Sequence, residues 1–356
     1  MSSGKSSLTS GPLKGAIIGF GKVAETAHLP ALKDLPDLKI VAVADPLPAR
    51  RAQAQKLLGE VPVFPGLESL LTSGPRLDFA VVCTPPGGRL PLVAAMLRHG
   101  CHVLSEKPLA LDEVDFQELE MAQAAGGAAL VTVNNWKYAP LLSLAGRLAQ
   151  EGAIGRVQRL DWEVYRTTAS GGGLSAWRQD PANALGGILV DHGWHGFYLL
   201  MAWAGAEPLT LRANLTKGAE KGGVEVEAEV ELEFPGATAR LFLTWLSNSR
   251  SNRGRLAGLA GEIILADDRL SRLAGRQVEE ERNFPEKLSA GSHHPQWMAG
   301  VFAEFLEEIR SLEKRGRNFR EARMCGRLIG LAYLSHQAGG AWIDVVSGRV
   351  ASKASI

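Results

Sequence analysis

The sequence predicts an α/β protein: a doubly wound parallel sheet at the N-terminus, then a C-terminal α/β domain on a large open, mostly antiparallel sheet. Three observations predict it. Short apolar runs of β type alternate with helical patterns through the first third. After about residue 150 that alternation gives way to long period-two runs. The length, 356 residues of which 46% are hydrophobic, suits two domains of ~150 residues, each with its own core. Residues 1–12 read as a disordered tail, 13–150 as the first domain and 151–350 as the second.

In the first domain, Ala16–Gly19, Lys39–Ala44, Phe79–Thr84, His102–Ser105 and Ala129–Asn134 read as buried strands. Amphipathic segments Ala49–Leu58, Leu90–His99 and Asp112–Ala125 lie between them. Asp112 is placed to cap the last, with Asp115 in its first turn. His99-Gly100 is ordinary helix-end chemistry and asks for no function. In the second domain, Val157–Arg166, Leu209–Thr216, Val224–Phe234 and Ala237–Leu246 are alternating runs without helices between them. VEVEAEVELEF, residues 224–234, puts apolar side chains on one face and carboxylates on the other. Ala184–Ala206 reads as a buried helix, because Asp191, His192 and His195 would be expensive in hydrocarbon. Trp297–Lys314 and Asn318–Gln337 close the chain as helices, the last packing back on the first domain.

Composition excludes several classes. With 39 basic and 38 acidic residues the net charge is +1, which argues against nucleic-acid binding and against attachment to anionic lipid. Cys83, Cys101 and Cys325 have no paired spacing and read as reduced, mostly buried thiols of a cytoplasmic protein. The polar N-terminal stretch has neither an apolar core nor twin arginines and does not read as an export signal. His192 and His195 stand three apart without a third ligand motif, so no metal is expected.

The first motif with chemistry is Gly15-Ala-Ile-Ile-Gly-Phe-Gly-Lys-Val-Ala24. A strand runs into Gly19-Phe20-Gly21-Lys22-Val23-Ala24 and then into a helical segment carrying His28. Gly19 allows a tight turn, Gly21 lets the backbone approach a pyrophosphate, and small Ala24 permits close helix–strand packing. The helix N-terminus offers N–H groups to the anion. A second strand ends at Asp45, where a carboxylate can accept ribose hydroxyls. Together these read as a Rossmann dinucleotide site. Asp45 would repel a 2′-phosphate and favours NAD over NADP, although Arg50 and Arg51 follow closely and offer a phosphate partner.

Further motifs stand at strand carboxyl ends, where such sheets bind ligands: Thr84-Pro85-Pro86 and Glu106-Lys107-Pro108. Later come Asn135-Trp-Lys137, Trp177-Arg178, and Asp191 with His195 four residues on, a spacing that lets a carboxylate orient an imidazole on one helix face. This set, spread from about Leu13 to Val346, resembles the glucose–fructose oxidoreductase / inositol dehydrogenase / rhizopine-catabolism (Gfo/Idh/MocA) family. The resemblance implies a Rossmann domain followed by an open-sheet domain whose face commonly makes homodimer or homotetramer contacts. It implies NAD(P)-dependent oxidoreduction of a small-molecule sugar, cyclitol or related polyol. Carried over, Lys107, Asp191 and His195 form the catalytic set, and Trp177-Arg178 approach the nicotinamide. Asn135 and Lys137 stand at the mouth of the substrate pocket.

The chemistry is sound on its own terms. A histidine near its usual pKa of ~6.5 can take and return a hydroxyl proton; Asp191 would hold its ring, and the Lys107 ammonium would stabilise developing alkoxide. A cis Lys107–Pro108 bond, often present in relatives, would aim the lysine into the cleft. Two departures stand out: Arg89 occupies a position where many relatives carry histidine, and Lys137 one where arginine is common. Residues Thr167–Gly173 suggest a mobile loop over the pocket. His293-His294 precede a helix and read as loop residues, with reach to the pocket as the alternative; Cys83 reads as a small buried hydrophobe, and the aromatics of Trp194–Trp203 as core. Two rival readings remain: a glycoside hydrolase using NAD for transient oxidation, and a non-catalytic sensor or regulator.

Overall fold

The structure, a computed structural model, describes residues 11–167, 181–218, 223–291 and 293–351. Most of the expected N-terminal tail, the Thr168–Gly173 part of the expected loop, and Trp177-Arg178 lie outside the described residues.

Six parallel strands form the first sheet: β1 (Leu13–Ile18), β2 (Leu38–Ala44), β3 (Val63–Phe64), β4 (Phe79–Val82), β5 (His102–Ser105) and β6 (Leu130–Thr132), in the order β3-β2-β1-β4-β5-β6. This is the doubly wound order that places a ligand crevice where the strand sequence reverses, between β1 and β4. Both faces are covered, which is why the strands are continuous apolar runs. Ala16, Ile18, Ala80 and Val82 face one core, with Val93, Leu97 and Phe116 of helices α4 (Arg89–Arg98) and α5 (Glu113–Gly126). Ile17, Phe79 and Val81 face the other. Asp112 caps α5, its carboxylate accepting the Asp115 N–H at 2.9 Å, and His99-Gly100 ends α4 with Gly100 at φ +77°.

Among the described residues the second sheet has nine strands, four of which match the alternating runs: β7 (Val157–Tyr165), β8 (Thr210–Lys217), β9 (Glu225–Phe234) and β10 (Ala237–Thr244). Pairing is antiparallel except between β7 and β10. Leu160, Trp162, Val230 and Leu241 point inward and are fully buried beneath the helix α7 (Trp194–Ala204), which enters between β7 and β8. Trp194 and Trp203 belong to that core. On the outer face Glu229 pairs with Arg240 at 2.5 Å and Glu231 with Arg212 at 2.8 Å, so the carboxylates form ion-pair ladders. Strands β11 (Ser251–Gly258), β12 (Glu262–Ala266), β13 (Arg269–Ala274) and β14 (Gln277–Asn283), with the short β15 (Ile343–Asp344) beside β8, extend the sheet beyond the predicted runs. In β11 a Gly254 side chain is replaced by the Trp162 ring: a Cβ there would come within 2.8 Å of it.

Two closing helices tie the halves together. Met298, Val301, Phe302 and Phe305 of α8 (Pro295–Arg310) complete the second core of the first sheet. In α9 (Arg317–Gln337) Asn318 accepts the Thr132 N–H at 2.7 Å and donates to the Thr132 carbonyl at 3.1 Å. The expected return of the last helix is therefore present, with the penultimate helix packing on the first sheet as well. No described helix is long and apolar enough to cross a membrane.

Candidate active site

A cavity of about 1330 Å³ opens at the carboxyl ends of the first sheet and runs between the two sheets. One wall is mostly backbone. Gly19 sits at φ +85°, where a Cβ would lie 2.9 Å from the Thr84 methyl and 3.0 Å from its backbone nitrogen. A Cβ on Gly21 would meet nothing within 4 Å. The turn thus needs glycine for closure at the first position and leaves clearance at the second. Lys22, Val23, Arg50, Thr84, Pro85 and Pro86 line the same wall, and the Thr84 hydroxyl is buried without a partner. Phe20 is packed inward and fully buried; its contribution is its N–H, donated to Asp45 at 2.7 Å. Asp45 also accepts the Leu47 N–H at 2.8 Å, so its carboxylate is held rigidly beside the turn. Arg51 donates to the carbonyls of Asp45 and Pro46 at 2.8 and 3.0 Å, while Arg50 faces the cavity.

Beneath the wall lies a buried charged cluster. His28 Nε2 meets Glu106 Oε1 at 2.8 Å. Burial opposes charge on the imidazole, but Cys83 and Glu106 outweigh it and raise its pKa to about 10. Burial opposes charge on Glu106 as well, and the His28 hydrogen bond overcomes it, holding the carboxyl below its usual range. Arg89, 3% exposed, donates to the carbonyls of Thr84 (3.1 Å), Glu106 (2.7 Å) and Pro108 (2.6 Å). Arg89 thereby latches the ends of β4 and β5 together at the cavity. Cys83 is buried and borders the cavity.

The opposite wall is made of side chains. The Lys107–Pro108 bond is cis, and the Lys107 ammonium donates to the Asp191 carbonyl at 2.5 Å and its carboxylate at 2.7 Å. Asp191 stands in a π-helical turn, Leu189–Gly193, that precedes α7. The wider turn breaks the four-residue alignment expected with His195. The Asp191 carboxylate lies by Lys107 and 3.7 Å from His192, whereas His195 Nδ1 meets the Tyr198 hydroxyl at 2.7 Å. This corrects the expected Asp191–His195 pair: Tyr198 orients the imidazole. The His195 ring stacks on Trp136, centroids 5.1 Å apart. Burial, then the Lys107 charge, holds its pKa well below the usual histidine value.

The π-turn is itself anchored by Glu225, which accepts the N–H groups of Gly187 and Leu189 at 2.8 and 3.1 Å and the Tyr333 hydroxyl at 2.9 Å. A register shift pairs Lys217 with Glu225 but Thr216 with Glu227, a bulge that turns Glu225 away from the acidic outer face. Nothing in the regular alternation of residues 224–234 signals that inversion.

Asn135 lines the cavity with its side-chain oxygen buried and unpartnered. Lys137 does not line it: its ammonium lies 3.3 Å from Glu304 and 3.0 Å from Glu321, tying the start of the second half to α8 and α9. Its neighbour Asn134 also reaches Glu321, at 2.6 Å, so two carboxylates on packed helices draw the lysine away. His293 and His294 lie in the loop before α8 and border the cavity, the first 3.0 Å from the Thr26 hydroxyl and the second stacked on Trp297 at 3.6 Å. Arg166 and Arg250, which the sequence did not single out, line the same wall.

The family model described as oxidoreductase family, NAD-binding Rossmann fold, matches residues 13–134, and the GFO/IDH/MocA C-terminal domain matches residues 143–264. D-glucoside 3-dehydrogenase of Escherichia coli is 31% identical over 199 residues, 54% of each chain. Inositol 2-dehydrogenase of Rhizobium meliloti is 26% identical over 56% of this chain and 57% of its own. Galactose 1-dehydrogenase of Pseudomonas fluorescens is 39% identical over 27% of this chain and 29% of its own. The chain spans about half the length, or less, of these curated relatives. An inositol dehydrogenase homolog from Azotobacter vinelandii, solved with NAD+, superposes with a TM-score of 0.79 at 19% identity, over 94% of this chain and 98% of that one.

Proposed function

This chain belongs to the Gfo/Idh/MocA oxidoreductase family, and on that premise we propose that it is an NAD-dependent dehydrogenase of a sugar or cyclitol hydroxyl. The observation that carries the reading is the placement of Lys107, fixed by Asp191, and a neutral His195 on the cavity that the Gly19–Gly21 turn and Asp45 also border. The residues present fit a dinucleotide. Clearance over Gly21, the unpartnered Thr84 hydroxyl and the rigid Asp45 carboxylate suit a pyrophosphate, a polar ribose edge and ribose hydroxyls respectively. Bound there, the nicotinamide supplies the hydride acceptor for oxidation of a carbinol carbon.

The chain's own residues handle the proton and the charge. The Lys107 ammonium spends two donors on Asp191 and has a third for the reacting oxygen, where a fixed positive charge stabilises developing alkoxide. Tyr198 accepts the Trp136 N–H at 3.1 Å, and burial holds its phenol protonated. With the Tyr198 hydrogen turned away, Nδ1–H donates to the Tyr198 oxygen and the free Nε2 accepts the proton of an alcohol undergoing oxidation, then passes it to solvent. In reduction the step runs backward: Nε2 takes a proton from solvent, and the ring, protonated on both nitrogens, gives it to the oxygen of the carbonyl and returns to neutral imidazole.

Titration with NADH and NADPH, followed by tryptophan fluorescence, tests the reading, with NAD reduction then assayed on galactose, inositol and glucosides. NADH binding at least about tenfold tighter than NADPH is expected from the Asp45 carboxylate. An NADPH preference would move the ribose contact to Arg50, and binding of neither would remove the dehydrogenase reading.

A further inference from the structure

The second wall of the cavity carries more positive charge than proton and hydride transfer require. Arg166 follows β7 and is 3% exposed. Its guanidinium donates to the carbonyls of Tyr165 at 2.8 Å and Ser251 at 3.2 Å, and to the Asn252 side-chain oxygen at 3.1 Å. Every hydrogen bond it makes among the described residues therefore ends on a neutral acceptor. Arg250, immediately before β11, lines the same wall and donates to the Ser289 carbonyl at 3.0 Å. Burial and then the charge of Arg250 lower the Arg166 pKa to about 10.

Asp267 and Asp191 are near enough to favour the Arg166 charge, but neither hydrogen-bonds its guanidinium among the described residues. Asp267 accepts the Asn252 backbone and side-chain N–H groups at 3.0 and 2.9 Å, and Asp191 holds Lys107. A buried guanidinium satisfied only by neutral oxygens keeps much of its desolvation cost, and its attraction for an anion is strong where water is excluded. Two buried polar atoms on the same wall, Asn135 Oδ1 and His192 Nδ1, also lack partners. Asn135 can accept from a hydroxyl. The wall thus offers a hydroxyl-binding end beside Lys107 and an anion-binding end at Arg166.

We propose that the substrate is an anionic sugar, a polyhydroxylated molecule whose carboxylate or phosphate is held by Arg166 with Arg250 beside it, its reacting hydroxyl lying at Lys107 and His195. The inference rests on the dehydrogenase reading and narrows its substrate class.

Calorimetric titration of the NADH-saturated protein with gluconate, glucuronate, glucose 6-phosphate and glucose tests it. At least one anionic ligand should bind about tenfold or more tightly than glucose; whether the acids or the phosphate win identifies the anion. R166Q should weaken that ligand about 30-fold or more and change glucose affinity less than about threefold, while R166K retains part of the anion preference because it keeps the charge and loses the fork. Should R166Q fail to fold, R250Q and the salt dependence of wild-type binding give the same comparison, with only the anion weakened by salt. Equal affinity for glucose and all three anions, or indifference of the anion to both substitutions, would overturn the proposal. If NADH itself does not bind, the dehydrogenase reading falls, and the same series on the free protein decides the anion site by the same ratio.

Discussion

The two walls of the cavity are built differently. The first is mostly a product of local chain order: strand, glycine turn, helix and a carboxylate at the next strand end lie within Gly15–Asp45, and Thr84–Pro86 at the end of the adjacent strand close it. Its contacts are largely main-chain, with Gly19 and Gly21 valued for what they lack. The second wall is assembled from side chains far apart in sequence. Lys107 meets Asp191 across 84 residues, and Glu225 anchors Gly187 across 38. A wall of the first kind can hold a cofactor common to many proteins; one of the second kind can vary in what it accepts without disturbing the first.

That division predicts separable losses. K107M removes the fixed charge at the reacting oxygen and should lower kcat by about 1000-fold, with NADH affinity changed less than about threefold, as steady-state rates and fluorescence titration would report. A parallel loss of NADH affinity would mean that the walls are not independent. G19A strikes the other wall. A Cβ at φ +85° against Thr84 should weaken NADH binding about 10- to 100-fold, leaving kcat at saturating cofactor within a few-fold of wild type.

The cluster beneath the first wall responds to pH. His28 has its folded-state pKa raised from 6.5 to about 10. Its contribution is full below pH ~6.5 and is lost as pH rises toward 10. Stability measured by denaturant unfolding should therefore decline between those values, and H28Q should be less stable at neutral pH by on the order of 2 kcal/mol with a flatter slope. A variant that keeps the wild-type slope would show that His28 is uncharged. The smallest effect is an absence: because His195 lies well below its usual value, kcat should show no acid limb near pH 6.5. A limb there would mean that the imidazole is already charged before it takes the alcohol proton.

What was legible in the sequence follows the same division. The strands, the glycine turn, Asp45 and the Asp112 cap were readable because each depends on neighbours a few residues away. Lys107 was readable from Glu106 and Pro108. The orientation of Asp191 was not: four-residue spacing implies one helix face, and the π-turn that cancels it depends on Glu225, turned inward by a bulge. Lys137 reads as a pocket residue until Glu304 and Glu321 arrive from helices over 160 residues away. Arg166 and Arg250 have no local motif, and only the packing of β7 and β11 brings them to the cavity. β11–β14 escaped notice because Gly254 and exposed arginines blur the alternation in β11, and in β14 most side chains are exposed.

The central claim is that His195 moves the proton while the glycine-turn wall holds the cofactor. The most direct test compares H195A with wild type in two readings on one preparation: NADH affinity by tryptophan fluorescence, and single-turnover NADH formation with whichever sugar the wild type oxidises. Affinity within about threefold of wild type, with hydride transfer slowed about 100-fold or more, is the predicted result. Hydride transfer at the wild-type rate in H195A would contradict the account.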